Sequence, residues 1–338
     1  MSDLLTPALA AALADRAGLI QQLTAENTNA YRLFHGATEG QPGLTVDRYG
    51  DIALVQTFHR SLEPAELGEL VAFYLAAQPG LLVVYNDRSQ SNSRVGNWLS
   101  SAAQQQAEQP RQIAELGVHY HFAARHPGQD PWLFLDLRAG RRRVLQLARG
   151  KSVLNLFAYT CGIGTAAATA GARQVVNIDF AQSSLAIGKQ NAELNGLLTL
   201  PSFLKSDAFT ALRQYAGLGQ PQTVRGRRLP EFAKLAPQQF DLVFLDPPRH
   251  AKSPFGVVDL VRDYAALLKP ALLATAPGGT LLCCNNAAEL PREVWLDQVQ
   301  RCAVKAGRPI REWQWIAPEA DFPSPDGQPP LKILELQV

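Results

Sequence analysis

The chain is poor in cysteine and has no long apolar run, and each shortage narrows its class. Cys161, Cys283, Cys284 and Cys302 are its four cysteines, and no two stand in C-x-x-C spacing. Neither a structural metal nor a disulfide framework is therefore expected, and free thiols in a reducing compartment imply a cytoplasmic location. No stretch of eighteen apolar residues occurs. The first twenty residues, with Asp3, Asp15 and Arg16, lack the basic start and unbroken apolar core of a secretory signal. A soluble protein without a membrane partner is expected. Strong net charge is also missing: 32 Lys and Arg against 30 Asp and Glu leave +2. That excludes a histone-like binder but permits one local anion-binding face.

The cations that are present cluster. "RAGRRRVLQLARGK", residues 138–151, holds six of them, including Arg138, Arg141, Arg142 and Arg143, and the next acid is Asp179. "VRGRR" adds Arg225, Arg227 and Arg228 within a stretch rich in Gly, Pro and Gln. Each run alone reads as a solvated face as readily as a binding face. Two in the same half of the chain point to a polyanionic partner.

Residues 5–24 have helical spacing with a polar side. "GLTVDRYGDIALVQTF" alternates about Tyr49-Gly50-Asp51 as a hairpin does, "LEPAELGELVAFYLAAQ" reads as a helix opened by proline, and "GLLVVYNDR" and "GVHYHFAA" as strands. The polar loop through Arg94 follows the third of these strands. Residues 1–30 are thus expected to form an N-terminal helix and 31–135 a small α/β domain. From 136 to 338, strands are expected at 152–159, 174–180, 201–206, 240–245, 279–284, 309–316 and 331–337, with helices between the first six. Alternating strand and helix implies a parallel sheet covered on both faces. "PEADFPSPDGQPP" is too short and proline-rich for a crossover helix, so the seventh strand should run antiparallel to the sixth. Residues 217–239 form an irregular insertion.

Within this half, "VLNLFAYTCGIGTAAATAGARQVVNID" reads as strand, glycine turn, helix and strand. Gly162 and Gly164 let backbone approach a ligand, and Asp179 ends the next strand, where a ribose diol would lie. NAD, FAD and S-adenosylmethionine are served equally by that logic. "FDLVFLDPPRH" narrows the choice. A buried strand ending in Asp246-Pro247-Pro248 presents a carboxylate and rigid carbonyls beside the switch point, suited to a planar base, which a dehydrogenase does not require. A plain turn is the competing reading.

With "LFLDLRAGRRRVLQLARGKSVLNLFAYTCGIG", "FLDPPRH" and "GGTLLCCNN", the chain resembles the class I S-adenosylmethionine-dependent 23S ribosomal RNA methyltransferases of the RlmI and RlmK type, from about residue 31 to the end. The resemblance implies a Rossmann-like seven-stranded methyltransferase domain behind a small domain that positions RNA, and the family's N-terminal PUA domain is expected to be lacking. It places Phe157, Tyr159 and Gly162 in the cofactor loop, Asp179 on the ribose, Asp207 near the adenine amine, and Asp246, Pro247 and Pro248 at the transferred methyl. Arg138 falls in a segment that family members hold near the active site. Core packing for Phe157 and Tyr159, and a helix N-cap for Asp207, are the competing readings. Ribosomal RNA, free or in an assembly intermediate, is the implied partner.

The methylated atom follows from the nucleophile. Cytosine C5 needs a thiolate to add first, guanine N7 already has an exposed lone pair, and an exocyclic amine needs acceptors such as Asp246. The cytosine branch of the family carries a cysteine after the fifth strand, where this chain has Asn286. "CCNN" is instead similar to the "SNN" of the guanine-N7 branch. Purine N-methylation at guanine N7 is therefore expected, with Asn286 beside Asp246 and the prolines. The alternatives are cytosine C5 methylation through Cys283 or Cys284, and a non-catalytic RNA-binding assembly factor on the same scaffold. Cys161 in the loop and Phe322, where the family has histidine, depart from the pattern and keep the last alternative open. A small-molecule or protein methyltransferase would leave the arginine runs without a role. His250 could orient the base.

Overall fold

The computed structural model describes residues 5–89, 101–128, 130–197, 201–219, 223–224, 227–228, 233–249, 252–253, 256–257, 259–261 and 263–338. Arg94, Arg225 and His250 lie outside the described residues, and of Arg227 and Arg228 only the backbone is described. The chain divides into two units, Met1–Asp136 with Glu319–Pro325, and Leu137–Pro318 with Asp326–Val338.

In the first unit, helices α1 (Leu5–Asp15) and α2 (Ala17–Ala25) take the place of the single leading helix expected. They are not a separate element: Leu5, Leu9 and Leu23 enter one core with Leu33, Val46, Val55 and Tyr74. Strands β1 (Ala30–Phe34), β2 (Leu44–Tyr49) and β3 (Ile52–Thr57) form an antiparallel meander. Gly50, at φ +64°, makes the β2–β3 turn. Helix α3 (Pro64–Ala77) opens on proline, whose missing N–H costs nothing in the first turn, and returns the chain to β4 (Leu82–Asp87), parallel to β3. Helix α4 (Ser101–Glu108) and the hairpin β5 (Arg111–Glu115) and β6 (Val118–Phe122) complete the unit. Phe322 packs here in place of the family's histidine, with the Arg32 guanidinium 4.4 Å from its ring centroid while Asp321 accepts the Arg32 N–H.

The second unit begins with α5 (Arg138–Leu147) and continues through β7 (Ser152–Leu156), α6 (Gly162–Thr169), β8 (Gln174–Asp179), α7 (Gln182–Leu194), β9 (Pro201–Lys205) and α8 (Ala208–Tyr215). Two-residue strands β10 (Thr223–Val224) and β11 (Arg227–Arg228) pair within the insertion. Then come β12 (Phe240–Leu245), the small ribbon β13 (Lys252–Ser253) and β14 (Gly256–Val257), α9 (Tyr264–Ala274), β15 (Thr275–Asn285), α10 (Arg292–Lys305), β16 (Glu312–Ile316) and β17 (Lys332–Gln337).

Seven of these strands form one sheet in the order β16-β17-β15-β12-β7-β8-β9. β17 is antiparallel to both β15 and β16, as the short proline-rich connection required, and the remaining pairs are parallel. β15 starts earlier than expected because its pairing with β12 jumps from Thr275 to Thr280, past Gly278 at φ +75°. Both faces are buried, as a parallel sheet requires. Leu212, Leu267, Leu272 and Trp295 cover one face, and Val144, Ile163 and Ala167 the other. The sheet turns outward in two directions from between β7 and β12. The loops after those two strands therefore flank the switch point, where open α/β sheets bind ligands.

Candidate active site

The loop after β7 is strained. Phe157, Tyr159 and Cys161, at φ +56°, +49° and +60°, are three non-glycine residues in the left-handed region within five positions. Such conformations cost about 1–3 kcal/mol each and persist where the surroundings over-determine them, typically at functional sites. Ala158 N donates to Ile178 O at 2.9 Å, Cys161 N to Ala158 O at 2.7 Å, and Tyr159 N to Asp179 Oδ2 at 2.8 Å. The other carboxylate oxygen of Asp179 accepts the Ala181 N–H at 2.8 Å. Burial pushes the Asp179 carboxyl above its ordinary value, and these backbone donors work against the rise.

Gly164 stands in the first turn of α6. A Cβ there would lie 1.9 Å from Asn177 Oδ1, so its bareness is what lets α6 sit on β8. Gly162 opens α6 beneath the loop. Cys161 is fully buried, and burial raises its thiol well above the ordinary range. Its departure from the family pattern is absorbed by Gly188 of α7, where a Cβ would meet Cys161 Sγ at 2.4 Å. Phe157 is half-buried and packs edge-on against Phe209, ring centroids 6.0 Å apart, so it serves the core as well as the loop. Asp207 caps α8: Oδ2 accepts from Thr210 N and Oγ1, both at 2.9 Å. Oδ1 accepts no hydrogen bond among the described residues, and burial raises this carboxyl too.

Beyond the switch point, Asp246 is half-buried, Pro247 buried and Pro248 exposed. Leu245, just before them, pairs with Leu156 on one side and Cys283 on the other. The Asp-Pro-Pro turn thus stands between the strained loop and the end of β15. Asn285 is buried, with Oδ1 accepting from Ala287 N at 2.9 Å and Nδ2 donating to Leu260 O at 3.4 Å. Asn286 is half-buried, and its Oδ1 is enclosed without a hydrogen-bond partner among the described residues. Cys283 and Cys284 pack into opposite faces of the sheet, both fully buried. Burial pushes the Cys283 thiol up to about 12.

The arginine run differs from the solvated cationic face that its charge density suggested. Arg138 and Arg141 are 0% and 2% exposed, and Arg142 is half-buried. Arg143 is engaged bidentately by the buried Glu335, at 2.6 and 2.8 Å. The run lies on α5, which is clamped to the sheet: the bare face of Gly140 stands against Phe244 and Ile333. Two residues escaped the sequence reading. Phe180, directly after Asp179, is 63% exposed, and its signal was an aromatic following a strand-end acid. Lys332 is fully buried at the start of β17, and nothing in its local sequence announced that.

Phe157, Tyr159, Gly162, Asp179, Asp207, Asp246 and Asn286 thus all stand at the carboxyl edge of the parallel strands, while Gly164 lies within a helix. A doubly wound sheet carrying acids at the end of β8 and after β9 and β12, about a strained switch-point loop, defines a class I methyltransferase-type nucleoside-cofactor protein. The fit to S-adenosylmethionine is physical: Asp179 offers a buried acceptor, Asp207 engages only its Oδ2 among the described residues, and Phe180 exposes a ring for stacking.

Comparison with known proteins agrees. Residues 31–334 match the S-adenosylmethionine-dependent methyltransferase family, and the chain belongs to that family. S-adenosylmethionine is its cofactor. It is 30% identical to ribosomal RNA large subunit methyltransferase I of Aeromonas hydrophila, over 91% of this chain and 73% of the relative. Identity to ribosomal RNA large subunit methyltransferase of Deinococcus radiodurans is 29%, over 90% and 71%. A solved methyltransferase in complex with SAH, SMU.776, has the same fold at 23% identity, TM-score 0.79, over 100% of this chain and 82% of that one. A further structure from Streptococcus mutans gives 22%, 0.77, 100% and 81%.

Proposed function

We propose that the protein methylates a base of large-subunit ribosomal RNA, and that the acceptor atom is guanine N7. The names of its relatives support the substrate. The state of the two cysteines carries the choice of atom. Cytosine C5 methylation needs a thiolate that reaches the base. Cys283 and Cys284 are sealed into the two cores, and burial holds the Cys283 thiol protonated at neutral pH. Guanine N7 presents its lone pair in the ring plane and needs neither a covalent partner nor a proton acceptor. The amide at Asn286, where the cytosine branch has its cysteine, suits such a reaction.

Bound S-adenosylmethionine supplies an electrophilic methyl group. The chain supplies alignment and exclusion of water, which is where most of the rate of an in-line displacement arises. On this reading Asp179 holds the ribose diol, Asp207 Oδ1 accepts from the adenine amine, and Phe157, Tyr159 and the backbone at Gly162 shape the loop around the cofactor. Asp246, Pro247 and Pro248 form the wall against which the base is held, with Asn286 beside it. Arg142, Arg227 and Arg228 are the RNA-side cations of the proposal; Arg138 and Arg141 are interior and Arg143 is held by Glu335, which takes all three out of that role.

Mass-spectrometric mapping of ribosomal RNA modifications in a deletion strain and its parent tests the reading. The expected result is loss of one methylated guanine from large-subunit RNA. Loss of a methylated cytosine would overturn the choice of atom, and an unchanged map would overturn ribosomal RNA as the substrate.

A further inference from the structure

Lys332 is 1% exposed, and its ammonium donates to Ala287 O at 2.8 Å and Pro330 O at 3.4 Å. Among the described residues no carboxylate contacts it, and burial of such a lysine is costly and calls for an explanation. Its place in the sheet supplies one. β17 runs antiparallel to β15, so the first residue of β17 lies opposite the last of β15, and Lys332 pairs with Asn285. The turn that follows β15 is therefore gripped from several sides. Ala287 N donates to Asn285 Oδ1, Lys332 holds Ala287 O, Asn285 Nδ2 reaches Leu260 O, and the Tyr264 hydroxyl donates to Cys284 O at 3.0 Å.

The residue inside this grip is Asn286, whose Oδ1 is enclosed and accepts nothing among the described residues. A buried acceptor without a donor is costly, and a native fold retains one when something else fills the need. A carboxamide oxygen seeks an N–H. It lies on the β15 side of the Asp-Pro-Pro turn, whereas Asp179 and Asp207 lie across the switch point on β8 and α8. Its donor is therefore on the side of the acceptor base rather than of the cofactor's nucleoside. A purine turning N7 toward the methyl group keeps the N–H groups of its pairing edge for recognition.

We propose that Asn286 Oδ1 accepts an N–H from the pairing edge of the target guanine, and that Lys332 is the positioning residue that holds the turn presenting it. This rests on the base-methylation reading above and adds its specificity element. Lys332 touches neither base nor cofactor and acts through Asn286. Burial lowers its pKa, opposed by Glu289.

The test uses the full-length enzyme and ribosomal RNA from the deletion strain, with Asn286→Ala, Asn286→Asp, Lys332→Met, Lys332→Arg and the Asn286→Ala, Lys332→Met double variant. Asn286→Ala should keep its calorimetric affinity for S-adenosylmethionine and lose roughly 10- to 100-fold in methyl transfer per unit of RNA, the worth of one buried hydrogen bond. Asn286→Asp, which keeps an acceptor, should recover part of that loss. Lys332→Met should lower kcat without changing cofactor affinity, Lys332→Arg should restore most of it, and the double variant should be no worse than Asn286→Ala. Multiplying losses would make Lys332 merely structural and overturn its positioning role. Unchanged transfer by Asn286→Ala, or an equal loss of cofactor affinity, would overturn the recognition role. Should Lys332→Met fail to fold, the Asn286 pair and Lys332→Arg still decide. Failure of the wild-type enzyme to methylate this RNA would instead overturn the function on which the inference rests.

Discussion

Asp179 pins the strained loop through Tyr159 N, and on the proposed reading the same carboxylate takes the ligand hydroxyls. Burial raises its pKa, so between the ordinary carboxyl value and the raised one the folded chain binds a proton that the unfolded chain does not. Stability contributed by this group therefore falls as pH rises through that window, and the ionised acid is retained at neutral pH at a cost to the fold. Ligand hydroxyls favour the charged form. Affinity for S-adenosylmethionine should accordingly weaken on acidification beginning above the usual carboxylate range. Asp179→Asn should bind roughly 10- to 100-fold more weakly, the worth of a hydrogen bond to a charged group, and show no such pH dependence. Calorimetric titration across pH checks both; a wild-type affinity independent of pH would remove Asp179 from the ribose. The strand-end position of this acid was legible in sequence. Its elevated pKa was not, because burial depends on α6 and α7 being in place.

At the level of elements, the sheet could be read from hydrophobic runs, since buried parallel strands are nearly continuous in apolar residues and glycine marks their turns. What could not be read is how helices close on them. Cys161 looked like a blemish in the glycine loop, and its compensation lies 27 positions later, at Gly188 on a different helix. Gly188→Ala should lower the melting temperature by several degrees, since the new methyl meets Cys161 Sγ at 2.4 Å and Cβ at 2.8 Å and overpacking costs about 1–3 kcal/mol. In a Cys161→Gly background both atoms are gone and φ +60° is unstrained, leaving only the Thr160 carbonyl oxygen at 3.3 Å, so the same substitution should cost less. Equal losses in the two backgrounds, measured by thermal unfolding, would show that the contact is not the cause. Helix α5 makes the same point with charge: its arginine run suggests an open surface, yet Arg143 serves Glu335, and Arg138 and Arg141 are interior. Charge reversal across Arg141–Arg143 would therefore report on folding before it reported on RNA.

For the molecule as a whole, binding of S-adenosylmethionine to the native state alone should raise its stability by about 2.7 kcal/mol at a hundredfold excess over Kd. A domain of this size should then melt roughly 5 °C or more higher. A melting temperature unmoved by the cofactor would favour a non-catalytic RNA-binding scaffold over an enzyme. Among the described residues, no helix is long and apolar enough to cross a membrane.

By itself the sequence determined the seven strands of the main sheet, though not all their ends, since the run expected at 152–159 stops at Leu156 and that expected at 279–284 starts at Thr275; alternation, apolar runs and Gly or Pro punctuation are properties of a few neighbouring residues. It thereby placed Asp179 and Asp246 at the carboxyl ends of parallel strands. Only the tertiary structure decided which glycine is a packing surface, which arginines are buried, that both β15 cysteines are closed off, and that Lys332 grips the turn around Asn286. Those outcomes depend on residues far apart in the chain, and burial and partnership come into being only when the sheet brings them together.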